Sequence, residues 1–214
     1  MAGTMALDDL AADLKRSLHD SASLFADDDY ADLTRFVRQA LPDMAQKRPR
    51  TRLGQVQLAA GEPRYALAGY SDFYAYKTHL WDRQANVCFP QPWEPNYPGA
   101  APRVSASRDG AGAAGHFLEF SPAPNALHLA ALGATFKFYY FAQHVAGAQA
   151  ADTTVDAADR GLLLLRAQAE AMREMVLHQA NKPVQLRDGL SGTPRNSTPA
   201  ALHEMLLRLF WEAR

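Results

Sequence analysis

The chain has a single cysteine, Cys88, in 214 residues, so no internal disulfide can staple it, and that composition agrees with a reducing compartment. It has no excess of either charge. Its 22 Lys and Arg stand against 23 Asp and Glu, a formal net charge of −1, which argues against a protein that holds nucleic acid by counterion release. No apolar run approaches the ~20 residues that a bilayer span requires. Asp8, Asp9 and Asp13 occupy the place where a secretory signal would be basic and then apolar. Asn196-Ser197-Thr198 fits a glycosylation sequon, but without an export signal it is discounted. No internal repeat is visible at periods of about 20–50 residues. Reactive signatures are missing too. The seven histidines show no HxxxH or HExxH spacing, Cys88 has no partner, and there is neither a GxSxG elbow nor a Walker loop. The expectation is a soluble protein, intracellular at synthesis, with no metal, no cofactor and no catalytic centre.

What is present is an ordinary globular composition, 48% hydrophobic and 21% charged, able to bury a core. Leu7, Leu10, Ala11, Leu14 and Leu18 form one helical stripe, with Thr4 as a cap and Asp8 and Asp9 at the positive end. Asp27, Asp28 and Asp29 open a second helix carrying Leu33, Phe36, Val37, Ala40, Leu41 and Met44. Pro42 inside it predicts a kink or an early end. A third long helix begins near Asp156 and carries Leu162, Leu165, Ala169, Met172 and Val176, broadened by Leu163 and Leu164.

Between the second and third helices the pattern changes. Val56 and Leu58 alternate with Gln55 and Gln57, and Ala60-Gly61-Glu62 supplies a turn before Arg64 to Leu67, which predicts a hairpin. Five prolines between Trp81 and Arg103 (Pro90, Pro92, Pro95, Pro98 and Pro102) forbid ladder and helix bonds, so a long extended loop is expected. Arg103 to Ser107 and His116 to Phe120 read as strands around a glycine-rich turn. Asn125 to Leu132 reads as a short helix closed by Gly133. Phe136 to Phe141 is aromatic on both faces, as a strand buried on both sides would be.

The last residues carry the strongest signal. Thr198 and Pro199 suit the N-cap and first position of a helix. Leu202, Met205, Leu206, Leu209 and Phe210 then follow one apolar face, widened by Leu207 and Trp211. Residues 185–197 are polar and rich in Gly, Pro, Ser and Thr, as a tether is. The expected fold is therefore mainly α with a β insertion: a bundle of three long helices (4–19, 28–47 and 156–180), a small antiparallel β region with the proline-rich loop (53–142), and a tethered C-terminal helix. The core would span 1–184, the linker 185–197 and the docking helix 198–214. Leu202, Met205, Leu206, Leu209, Phe210 and Trp211 are expected to bind a partner and to leave their own subunit's interior alone.

Other features weigh less. Gly110 to Gly115 matches the dinucleotide fingerprint, but strand follows it where a helix must begin, so it reads as a hairpin tip. His116, Glu119 and His128 are the one set that could converge for metal or catalysis, against the commoner reading of packed, hydrogen-bonded residues. Lys47, Arg48, Arg50 and Arg52 either meet phosphate or a neighbouring subunit or complement a helix C-terminus. Trp93 and Tyr97 join them as candidates for contact between subunits or with DNA.

In order along the chain, Arg48-Pro-Arg-Thr51 runs into Leu53-Gly-Gln-Val-Gln-Leu58, then Gly61 and Tyr65, Trp93 to Gly99, Phe120 to Pro124, Leu132-Gly133, Phe138 to Ala142 with His144, and the helix carrying Leu162 to Leu165 and Ala167 to Ala171. In that order the chain resembles head–tail adaptor (head-completion, connector) proteins of tailed bacteriophages and prophages. The resemblance implies a ring, commonly of twelve subunits, placed in the virion neck between the portal protein and a stopper or tail-completion protein. Genome DNA crosses its lumen without sequence-specific binding, and assembly takes place in the bacterial host cytoplasm. It implies a C-terminal segment docked on the portal, and no chemistry. The alternatives are another neck component, a stopper or tail terminator, or a small enzyme using His116, Glu119 and His128.

Overall fold

The computed structural model describes residues 4–25, 31–81, 90–109, 115–180 and 198–213. The chain divides into two compact units, Met1–Arg48 with His144–Arg214, and Pro49–Gln143. The first is helical: α1 (Leu7–Leu18), α2 (Ala31–Lys47), α4 (Arg160–Ala180) and α5 (Pro199–Glu212), with α3 (Ala126–Leu132) lying in the second unit.

In the helical unit α1 buries the expected Leu7, Leu10, Ala11, Leu14 and Leu18. Its N-cap is Ala6 rather than Thr4; Thr4 instead binds the Asp9 carboxylate through its amide, at 3.1 Å, and its hydroxyl. The stripe expected on α2 is buried throughout. The helix does not end at Pro42 but runs on to Lys47. The carbonyl that Pro42 leaves without a donor belongs to Arg38, on the exposed side, where water can bond it. Asp27, Asp28 and Asp29 lie outside the described residues.

On α4 the expected stripe is only partly the buried face: Ala169 and Met172 are buried as expected and Leu162, Leu165 and Val176 half-buried, while Leu163, Ala167, Ala171 and Met175 are also buried, together with Arg166 and Glu170. Because α1, α2 and α5 all pack on this helix, most of its circumference is covered and no single stripe marks the inside. The two buried charges hold each other. Arg166 reaches Asp43 and Glu170 at 2.6 Å each, and Arg173 lies 2.7 Å from Glu170. Near the point where the β unit leaves and returns, His144 Nε2 sits 2.8 Å from the Arg48 carbonyl oxygen and Arg48 pairs with Asp159 at 3.3 Å.

The second unit holds β1 (Arg50–Gln57), β2 (Arg64–Ala66), β3 (Phe73–His79), β4 (Arg103–Arg108), β5 (His116–Ser121) and β6 (Thr135–Ala142). They form two three-stranded antiparallel sheets ordered β1-β6-β3 and β2-β5-β4. The β4–β5 hairpin is as expected; its tip, 110–114, lies outside the described residues. α3 is capped by Asn125, which accepts from the His128 amide at 2.8 Å, and closed by Gly133 at φ 87°.

Several expectations are corrected here. The turn at Gly61 (φ 83°) does not close a hairpin but carries the chain from one sheet to the other, since β1 pairs with β6 and β2 with β5. β3 was not expected. β6 is central, but it buries one face: Phe136, Phe138, Tyr140 and Ala142 point inward, while Lys137 is exposed and Tyr139 and Phe141 half-exposed. The fold class changes accordingly. Among the described residues there are five α-helices and two sheets, a mixed α and β protein rather than a bundle of three long helices with a small β insertion. The β part has its own aromatic core, in which Phe120 and Phe136 meet edge to face at 4.9 Å and Trp81 packs on Phe136 at 5.7 Å, its Nε1–H donating to the Gly133 carbonyl at 2.9 Å.

One close approach depends on glycine. A Cβ on Gly54 would stand 2.6 Å from the Phe138 ring, so the bare backbone lets that ring lie across β1. Tyr70 packs edge-on to Phe138 and Tyr140, and its hydroxyl bonds both the amide and the carbonyl of Gln55 at 2.7 Å.

Candidate functional site

α5 begins as expected. Thr198 caps it by accepting from the Ala201 amide at 3.3 Å, and Pro199 takes the first turn. The candidate linker, 185–197, lies outside the described residues. The expectation that this helix leaves its own subunit's interior alone is overturned. Phe210 is fully buried in the helical core, and Leu202 and Leu206 pack against that core. His203 Nδ1 lies 2.8 Å from the Ala169 carbonyl oxygen on α4. Lys47, at the end of α2, donates to the Trp211 carbonyl at 2.8 Å and lies 5.7 Å from the Phe210 ring centroid. The reason is the width of the apolar face, which is broad enough to pack home and still leave residues outside.

Those left outside are Met205, Leu209 and Trp211, 41, 44 and 48% exposed. At 3.6 residues per turn Met205 and Leu209 lie together on one shoulder of the docked face, and Trp211 on the other, folded edge-on against Phe210 at 5.0 Å. Beside Leu202 and Leu206 opens a groove of about 350 Å³, also lined by Leu18, Met172 and Met175. This groove was not legible in the sequence, because its walls come from three helices; methionine in its floor was the one available sign, since that side chain fits irregular partners.

The basic run is largely occupied within the subunit. Lys47 holds the end of α5, Arg48 pairs with Asp159, and Arg52 pairs with Asp72 at 2.5 Å. Asp72 also accepts from the Tyr140 hydroxyl at 3.0 Å. Burial alone would raise the Asp72 pKa, but the bonds from Arg52 and Tyr140 and the charges of Arg52 and Arg50 outweigh it, so the carboxyl ionises below its ordinary range. Tyr140 is pushed up to about 12, first by burial and then by Asp72. Arg50 is half-buried at the start of β1. Trp93 is 79% exposed, whereas Tyr97 is half-buried in a turn whose amide bonds the Glu94 carbonyl at 3.0 Å.

His116, Glu119 and His128 are put to separate uses. His116 packs on Phe73 at 5.1 Å, and burial, with the charge of Arg108, lowers its pKa. Glu119 pairs with Arg64 at 3.4 Å and accepts from Ser107 at 2.6 Å. His128 is buried, with Nδ1 accepting from the Asn125 amide at 3.2 Å and Nε2 3.1 Å from the Ala100 carbonyl oxygen. No group of three or more His, Cys, Asp or Glu among the described residues is placed to hold a metal ion. No helix among them is long and apolar enough to cross a membrane.

Comparison with solved structures finds a likeness to a particle neck. A chain in the neck of an empty GTA particle, computed with C6 symmetry, is 16% identical over 92% of this chain and 87% of that one, with a TM-score of 0.24. No protein-family model and no curated protein matches the chain.

Proposed function

We propose that this chain is a structural, non-catalytic neck protein: a head–tail adaptor whose copies close a ring between a portal and a stopper or tail-completion protein, with genome DNA crossing the lumen. The observation that carries the reading is the set of large apolar side chains that α5 leaves exposed, Met205, Leu209 and Trp211, on a helix that also walls a groove with α1 and α4. It is joined by the ordered series of segments, Arg48 to Ala171, that resembles the adaptors. The docking surface is smaller than an all-outward helix would give. Full burial of an apolar side chain contributes ~1.5–3 kcal/mol, and Met205, Leu209 and Trp211 are already half covered, so each has about half of that left to gain. One such contact is weak once ordering costs are counted. Repetition around a ring turns it into a tight one.

The test is the double variant Met205→Ser/Leu209→Ser. Its urea midpoint is expected to match the parent, because neither side chain sits in the core, while its recovery on portal-bearing heads falls at least tenfold. Undiminished recovery would remove this surface from the interface. Purified chain that stays monomeric in the presence of portal rings, with no ring seen by electron microscopy, would sink the adaptor reading itself.

A further inference from the structure

The two sheets of the β unit have free strand edges, and the chain treats them differently. On the free edge of β1 and just past its end, tyrosine hydroxyls occupy the outward backbone. Tyr70 bonds the amide and carbonyl of Gln55, and Tyr65, on β2, bonds the amide and carbonyl of Ala59 at 2.8 and 3.0 Å. A hydroxyl that both donates and accepts at one residue fills the two places an added strand would use. Among the described residues the seam between β3 and β4 has no such cover, and no ladder joins the two strands.

The register shows which groups are left over on β4. Asp109 donates to the Gly115 carbonyl in the hairpin with β5, so the odd residues 103, 105 and 107 exchange bonds with β5 and the even residues Val104, Ala106 and Arg108 turn their backbone outward. Among the described residues nothing bonds the outward amides and carbonyls of Ala106 and Arg108. Beside them is a cavity of about 410 Å³ walled by Phe73, Tyr74 and His116 as well as Ala106, Ser107 and Arg108. That size falls within the ~300–1,000 Å³ of ordinary binding clefts. The Arg108 side chain is exposed and has no ion pair among the described residues.

We propose that this seam is a strand-addition site that takes an extended peptide segment bearing a carboxylate. The segment pairs with the outward backbone of Ala106 and Arg108, sets one apolar side chain against the exposed Tyr74, and places its acid at the Arg108 guanidinium. Main-chain bonds supply the grip and the aromatic wall and cation supply the preference, the division of labour usual in strand addition. The site needs nothing from the adaptor reading, and its test does not use portals.

The probe is the capped pentapeptide Ac-Thr-Val-Glu-Val-Thr-NH2, with four controls: Lys for Glu, Gln for Glu, N-methylation of the central amide, and no peptide at raised protein concentration. Amide NMR of the whole chain is expected to show shifts and slowed exchange at Ala106 and Arg108, with none at Gln55. The Glu peptide should bind about threefold tighter than an uncharged Gln version, the scale of one exposed ion pair, and the Lys peptide weaker still. Ala106→Pro removes an outward N–H that β5 does not use, so it should abolish binding at an unchanged melting temperature. Arg108→Glu should reverse the preference and serves as the decisive variant if the proline disturbs the hairpin. Equal binding of Glu and Lys peptides, undiminished binding of the N-methylated peptide, or no shift at millimolar peptide would overturn the proposal. Protection that appears with protein concentration alone would also overturn it, by making a second copy the occupant.

Discussion

The helical unit and the β unit bury themselves by different means. The helical core is mostly Leu, Ala and Met from four helices, with three phenylalanines, Phe25, Phe36 and Phe210, among them; where charge enters, at Arg166 and Glu170, it does so as a paired cluster. The β core is richer in aromatics: Trp81, Phe120, Phe136, Phe138 and Tyr140 interlock edge-on or stacked, and its polar contacts include the Trp81 indole N–H, tyrosine hydroxyls and the Asp72 carboxylate. Helices satisfy their own backbone, so their side chains are free to pack and pair. Short strands do not, and part of the aromatic side chains' work in this unit is to cover edges, as Tyr65 and Tyr70 do. The contrast makes separate demands on each unit, and substitutions can separate them.

The largest effect belongs to the buried charges. Glu170→Ala leaves Arg166 buried with only Asp43 as an anion, and removing one partner of a buried pair costs about 3–5 kcal/mol. The loss should appear in urea unfolding followed by helix ellipticity. Replacing both, Arg166→Met with Glu170→Leu, should recover most of it, because two apolar side chains leave no unpaired charge behind. If the single variant is near neutral, the cluster is solvated and the contrast between the two cores weakens.

Next comes Phe210→Ala. Deleting a fully buried ring typically costs about 3–5 kcal/mol, here expected near the lower end because α5 is a terminal helix with an exposed side. The tethered-anchor picture from the sequence required this substitution to leave stability untouched. A midpoint unchanged within error would restore that picture and undo the assignment of α5 to the helical core.

That correction shows how far periodicity carries. On α1 and α2 each apolar stripe faces one neighbouring layer, and the residues read from spacing, Leu7 to Leu18 and Leu33 to Met44, are those that are buried. α4 and α5 defeat the same reasoning for opposite reasons. α4 is covered on most sides, so its inner residues are Leu163 and Ala167 rather than a clean stripe. α5 is apolar over a wider arc than its neighbours cover, and spacing cannot say which part stays wet. In the β unit, local signals gave the β4–β5 hairpin, the α3 caps and strand β6, because turn and cap chemistry lies within a few residues. Pairings across many residues, β1 with β6 and β2 with β5, leave no local mark. The groove beside α5 and the open β3–β4 seam are made by such distant neighbours, which is why neither candidate surface was visible before the fold.

A smaller effect tests the β core. Gly54→Val would place a branched side chain where the Phe138 ring now lies, with its Cβ 2.6 Å from the ring. Overpacking of this kind costs about 1–3 kcal/mol. Since Tyr70 leans on the same ring, the variant should also speed exchange of the Gln55 amide that the Tyr70 hydroxyl now protects. Faster exchange without lost stability would mean that Tyr70 seals the edge but the core tolerates repacking.

The smallest effect is a pH dependence confined to the β unit. Asp72 has a folded pKa below the ordinary aspartate value near 3.8, because the bonds from Arg52 and Tyr140 outweigh the opposing effect of burial. A lowered folded pKa means that the unfolded chain binds the proton more readily. The stabilisation is therefore complete above the ordinary value and is lost as pH falls through the folded one. Arg52 is half exposed, which limits the pair to about 1 kcal/mol or less. Asp72→Asn should then lower stability slightly at pH 7 and have little effect at pH 2, so that the parent's slope below pH 4 flattens in the variant. The readout is near-ultraviolet circular dichroism of the clustered tyrosines during urea titration, since Tyr140 donates to this carboxylate and Tyr70 packs against Tyr140. A slope that survives the substitution would place the acid-sensitive group elsewhere.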